Sequence, residues 1–249
     1  MAILIHIKFT LVSYNSLNKV KGNKMKILLS ILSIGLILVG CGGNGGGKGN
    51  SANGTTPPTM EVSDTLIELT EAQKYALAFM WHEEKLAFDI YYELNKIHPV
   101  KQFTNIQKAE LKHISAVETL IKNYDINITN IEDYTINYSV SELQNMPVGK
   151  YAIAPIQSLY DMLYNKGIKS TKDALEVACM VEVTDIDDLD KYIIDSQGKN
   201  DLIETFTFLK EGSYSHYWAF DKALKNIGVS NGCCSAGEEW CHNEYPQSH

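Results

Sequence analysis

The chain has no arginine: all 22 of its basic residues are lysine. Bidentate guanidinium clamps for phosphate or carboxylate are therefore excluded. Those lysines face 30 acidic residues, for a net charge of -8. Residues 1–40 hold five lysines and no acid, so the part from Cys41 onward carries -13. Such a surface repels nucleic acid and anionic lipid. Alternating strand patterns are also scarce, with only residues 134–140 showing one. There is no glycine-rich phosphate loop, no nucleophile elbow and no internal repeat, which removes nucleotide-binding and serine-hydrolase chemistry. Cysteine is sparse at five residues: Cys41, Cys179 in an apolar helical run, and Cys233, Cys234 and Cys241 in a glycine-containing tail.

What is present starts with a leader. Met25-Lys26 precedes an apolar run from Ile27 to Val39, too short to span a bilayer comfortably, and Leu38-Val39-Gly40-Cys41 follows. This order reads as a secretory signal, and the tetrapeptide resembles the lipobox of bacterial lipoproteins. The resemblance implies a lipid on Cys41 and a protein exported and anchored to the bacterial cell envelope. Residues 1–40 are thus leader and signal, and 41–59 are a flexible tether rich in Gly, Ser, Asn, Thr and Pro. Residues 60–228 are a helical domain, and 229–249 are a tail. In an exported protein the tail predicts a disulfide from Cys241 to Cys233 or Cys234. A metal site of Cys233, Cys234, Cys241 and His242 is the alternative.

Four long helices follow from periodicity. Thr70 with Gln73 is a capping box, and Leu77, Trp81, Glu84, Phe88 and Tyr91 recur on one stripe until Pro99 stops the helix. Thr104 with Gln107 predicts a second capped start, leading into Ile106, Glu110, His113, Val117, Leu120 and Tyr124. A long crossover follows, containing one short helix from Pro155 to Gly167. Ser170 or Thr171 caps the third long helix, with Leu175, Ala178, Glu182, Asp185 or Ile186, and Leu189 inward. Asn200 caps the fourth, with Leu202, Phe206, Leu209, Ser213, His216 and Phe220 inward. The predicted fold is all-α, a four-helix bundle with one long crossover between the second and third helices.

Acids and imidazoles stand where these stripes should be apolar. Burying one costs several kcal/mol, roughly, unless something compensates it. Glu84, Glu110, His113, Glu182 and His216 are spread over all four helices, and Glu110-x-x-His113 places two donors one turn apart. Ferritin-like di-iron and di-manganese proteins use one Glu on each of two helices and Glu-x-x-His on the other two. Here Ser213 occupies the place of the second motif's Glu. The set therefore predicts one ion, or an asymmetric pair with Asp185 recruited, and Glu83 competes with Glu84 for the inward position. Oxygen and nitrogen donors of this kind suit iron or manganese, with zinc also compatible.

Four blocks carry a family resemblance: His82-Glu83-Glu84-Lys85-Leu86-Ala87-Phe88-Asp89-Ile90-Tyr91, then Glu110-x-x-His113, then Val181-Glu182-x-x-Asp185-Ile186-x-Asp188-Leu189, then Gly212-Ser213-x-x-His216-x-x-Ala219-Phe220. Together, over about Leu69 to Ile227, they resemble a ferritin-like bacterial family catalogued as a domain of unknown function, DUF2202. The resemblance implies a ferritin-like fold and a metal site inside the bundle, and Ser213 matches that family's Gly-Ser block. The resulting expectation is a membrane-tethered metalloprotein with open coordination positions suited to oxidase or peroxide-handling chemistry, so an oxidoreductase is one outcome. The alternatives are a metal-free helical envelope module and a non-catalytic metal carrier or sensor. Expected partners are a metal ion, a membrane through the lipid anchor, and a second copy if the protein is a homo-oligomer, with no nucleic acid.

Overall fold

In a computed structural model of the protein, residues 68–126 and 141–247 are described, with the backbone of 130–131, 134–135 and 140. The leader, Cys41 and the tether lie outside the described residues. Helix α1 (Glu71–Ile97) starts on the expected capping box. The Gln73 amide donates to Thr70 Oγ1 at 3.2 Å, and the Thr70 amide to Gln73 Oε1 at 3.1 Å. It ends at His98, before Pro99.

Helix α2 (Lys101–Asn123) begins three residues before the predicted Thr104 cap, so that capping box is not formed. The corner is held from the preceding helix instead: Asn95 Oδ1 accepts from the Val100 amide at 3.2 Å, while its Nδ2 donates to the Thr104 hydroxyl at 3.2 Å. This short link makes α1 and α2 antiparallel neighbours.

The crossover holds a two-residue antiparallel pair, Asn130–Ile131 with Tyr134–Thr135. Val140, read as the end of an alternating strand, instead opens helix α3 (Val140–Gln144). Helix α4 (Ala154–Gly167) carries Pro155 in its first turn, where the missing amide hydrogen costs nothing. Asp89 of α1 pins the intervening loop, accepting from the Gly149 amide at 2.9 Å and the Tyr151 hydroxyl at 2.7 Å and pairing with Lys85 at 2.5 Å. These partners satisfy a buried charge five residues beyond Glu84 and fix the crossover to α1.

Helix α5 (Thr171–Asp195) is capped by Ser170 as expected. Helix α6 (Asn200–Asn226) includes Asn200 as its first residue, with Lys199 at the cap position, one residue earlier than predicted. The main helix contacts pair α1 with α2 and α5 with α6, and α1–α5 and α2–α6 contacts close the set. The enclosed core includes an aromatic cluster in which Tyr91, Phe103 and Phe220 have ring centroids 5.2–5.9 Å apart. None of the helices among the described residues is long and apolar enough to cross a membrane.

The tail packs on α5 and α6 through two 3-10 turns, Gly232–Ala236 and Glu238–Trp240. Cys241 bonds Cys234, which selects one of the two expected pairings. Cys233 bonds Cys179 of α5, 54 residues away, a pairing absent from the sequence reading. With all three tail cysteines in disulfides, the tail metal alternative has no thiolates to use. Gly232 has φ +56°, and a Cβ there would lie 1.7 Å from Asp221 Oδ1. That oxygen accepts from the Cys233 amide at 3.0 Å, so glycine lets the tail close on α6.

Candidate metal centre

Each long helix contributes a buried donor because its apolar stripe continues on both sides of it. On α1, Glu84 follows Leu77 and Trp81; on α2, Glu110 and His113 sit between Ile106 and Val117. On α5, Glu182 lies one turn after Ala178, and on α6, His216 precedes Phe220 by one turn. The packing that buries those neighbours carries the polar groups inward with them.

The five donors meet in two groups, Glu84–Glu110–His113 and Glu110–Glu182–His216, whose donor atoms lie within 4.8 Å of one another. Glu110 belongs to both. Its Oε2 is 2.9 Å from His113 Nδ1, and its Oε1 is 3.0 Å from His216 Nδ1. Glu84 Oε2 is 3.1 Å from His113 Nδ1, and Glu182 Oε2 is 3.5 Å from His216 Nδ1. Each half thus has one terminal carboxylate, one imidazole and a share of Glu110.

Several of these short approaches are not hydrogen bonds. Glu84 Oε1, Glu110 Oε1 and His216 Nδ1 are buried without a hydrogen-bond partner, although the last two are 3.0 Å apart. Donor atoms that crowd together yet fail to align with one another are arranged as ligands around a shared cation would be. The residues present therefore fit a metal.

Electrostatics supports the same arrangement. Burial pushes Glu110 up, but the imidazoles of His216 and His113 outweigh it and hold the carboxyl at about 2. Burial alone would lower His113; the Glu84 and Glu110 carboxylates raise it to about 10. His216 is likewise raised, because Glu110 and Glu182 overcome its burial. Glu84 rises to about 7, driven by burial and partly opposed by His113. Without a metal, the upward shifts of His113 and His216 favour their protonated forms, which partly offset the surrounding carboxylates.

The remaining sequence candidates separate cleanly. Asp185 is buried near Glu84, Glu182 and Glu110, whose charges add to burial in raising it, but it joins neither group. Glu83 is buried toward Asp188 and Asp185, so Glu84 is the inward residue. Lys85, a candidate counter-ion for either acid, is committed to Asp89. Ser213 is buried and donates to the Leu209 carbonyl of its own helix at 3.3 Å.

Two supports, Tyr91 and Gly212, lie outside the predicted donor set. The Tyr91 hydroxyl donates to Glu182 Oε1 at 2.5 Å, fixing that carboxylate from beneath. At Gly212 a Cβ would lie 2.5 Å from His113 Nε2 and 2.7 Å from its Cε1, so the absent side chain makes room for the imidazole. Gly212 was visible as part of a sequence block; the packing reason was not.

The model of the uncharacterized protein domain DUF2202 matches residues 73–234, a span that contains all five donors. The chain belongs to the DUF2202 family. An uncharacterized protein, MJ0754 of Methanocaldococcus jannaschii, is 34% identical over 160 residues, covering 64% of this chain and 79% of that protein. The crystal structure of hypothetical protein MJ0754 from Methanococcus jannaschii DSM 2661 matches with a TM-score of 0.56 and 31% identity, over 72% of this chain and 87% of that one. The DUF2202 match and the all-helical architecture thus coincide with the segment that builds the centre.

Proposed function

We propose that this DUF2202 protein is a ferritin-like four-helix metalloprotein that holds two first-row transition-metal ions, iron or manganese, between its long helices. Glu84, Glu110 and His113 would hold one ion, and Glu110, Glu182 and His216 would hold the other. The observation that carries this reading is the sharing of Glu110 by two convergent donor groups in which Glu84 Oε1, Glu110 Oε1 and His216 Nδ1 are buried without hydrogen-bond partners. Zinc is compatible with the donors, so availability decides the resident metal as much as affinity does.

Bound iron or manganese would supply redox chemistry toward oxygen or peroxide, the reaction class this reading favours. The chain's own residues set the conditions for it. Tyr91 orients Glu182 and places a hydroxyl proton at its Oε1. Tyr91, Phe103 and Phe220 exclude water from one side of the centre. His113 and His216 would have to lose a proton to hold an ion, which would tie occupancy to pH. The signal-like leader and the lipobox-like Leu38-Val39-Gly40-Cys41 support a location outside the cytoplasm on a membrane tether.

A metal-free helical module is favoured by one observation: His113 and His216 already neutralise Glu84, Glu110 and Glu182 in part through ion pairs. Anaerobic titration of the purified protein with Fe(II), Mn(II) or Zn(II) separates the readings. Binding of about two ions per chain with a raised melting temperature is expected. Uptake below about one-tenth of an equivalent and unchanged melting would favour the metal-free module.

A further inference from the structure

Glu83 is a second buried acid on α1 that the centre does not use. It is 2% exposed, and no amide, lysine or histidine donor pairs with either oxygen. Being next to Glu84, it is rotated by about 100° around the helix and faces α5 instead of the centre. The charges it meets most strongly are Asp188 and then Asp185 of that helix, both acids. A carboxyl group buried against other acids is costly unless a cation visits it or a proton stays on it.

The acids of α5 are spaced in threes, at Glu182, Asp185 and Asp188. Each step turns the side chain about 60° away from the inner face and climbs about 4.5 Å. Burial falls in that order: Glu182 and Asp185 are buried at 1% and 4% exposure, and Asp188 is half-buried. Asp185 in turn faces Glu84, Glu182 and Glu110. A continuous line of carboxylates therefore runs between α1 and α5 from a partly exposed acid to the centre. Lys85, the lysine nearest in sequence, is held away by Asp89.

We propose that Asp188, Glu83 and Asp185 form the route by which a divalent cation reaches the centre, with Glu83 as its transient ligand on the way. This rests on the metal-binding reading above. The trio is not among the groups of described residues whose donor atoms converge within 4.8 Å, which suits hand-over and not storage. A passage lined by one sign of charge also raises the local cation concentration and the on-rate. The apolar flank formed by Tyr91, Phe103 and Phe220 offers no comparable path.

The test is anaerobic stopped-flow uptake of Co(II), read by its visible absorbance, in the full protein and in Glu83→Gln and Asp188→Asn. Both variants should take up cobalt at least about tenfold more slowly, with unchanged final stoichiometry and final spectrum. Unchanged final binding also shows that each variant is folded. If wild type binds cobalt and both variants match its rate, the route is wrong while the metal centre stands. If Glu83→Gln lowers the end point as well, Glu83 is a resident ligand and the route is again refuted. If wild type binds no cobalt, the centre and the route fail together, and only that result removes both.

Discussion

Gly212→Ala perturbs the centre without touching a donor. The added Cβ would lie 2.5 Å from His113 Nε2, far inside contact distance. The imidazole cannot simply retreat, because its Nδ1 is engaged by Glu84 at 3.1 Å and Glu110 at 2.9 Å. Phe208 also packs edge-on against it, with centroids 5.5 Å apart. In a helix interior, alanine should gain up to about 1 kcal/mol over glycine. Overpacking should cost about 1–3 kcal/mol, so the apo protein should be destabilised by about 0–2 kcal/mol. Metal affinity should suffer more. Displacing His113 should weaken binding in the Glu84–Glu110–His113 half by about 10–100-fold, as loss of an outer support typically does. The Glu110–Glu182–His216 half should be affected less. Thermal melts of apo protein and anaerobic metal titrations would be compared with Ser215→Ala, a half-buried change on the same helix. A Gly212→Ala protein that is about 1 kcal/mol more stable and binds two ions with unchanged affinity would refute this account of His113.

Stability without metal should fall as pH rises. The His113 contribution is full below its ordinary 6.5 and is lost as pH approaches about 10, and burial of Glu84 grows costly between its ordinary 4.5 and about 7. Glu110, held at about 2, contributes in the opposite sense, and its share is lost only as pH falls from 4.5. Because ions compete with the histidine protons, the melting-temperature gap between loaded and apo protein should widen from about pH 5 to about pH 8. A constant gap would contradict that competition. Cys179→Ser, which opens the 54-residue link to Cys233, should destabilise the protein by about 4 kcal/mol in chemical denaturation. Cys241→Ser opens only the 7-residue link and should cost about 2.5 kcal/mol; equal costs would show that loop entropy does not govern the tail. Tyr91→Phe should weaken metal binding about 10–100-fold by releasing Glu182, and isothermal titration showing wild-type affinity would exclude that supporting role.

The donors were legible because each interrupts an apolar stripe at the depth where its neighbours become fully buried. Thr70 and Ser170 were legible caps for the same local reason: a side chain reaching its own first turn depends on nothing distant. Thr104 looked equally suitable, yet Asn95 of the previous helix captured the corner and moved the start of α2 to Lys101. Tertiary contact overrode a good local motif. Cys179 carried no sign of its partner, since a disulfide across 54 residues depends on where the tail lies. The stripe favoured Glu84 as the inward residue with adjacent Glu83 as its competitor, and helix rotation turns Glu83 toward α5. Gly212 was legible only as a small residue, because its purpose belongs to an imidazole on another helix.

Anomalous X-ray diffraction at the iron or manganese edge, from crystals of the metal-loaded protein, tests the central claim most directly. Two peaks about 3.5–4 Å apart are expected, one beside Glu84 and His113 and the other beside Glu182 and His216, with Glu110 near both. A loaded crystal with no peak among these five residues would contradict it.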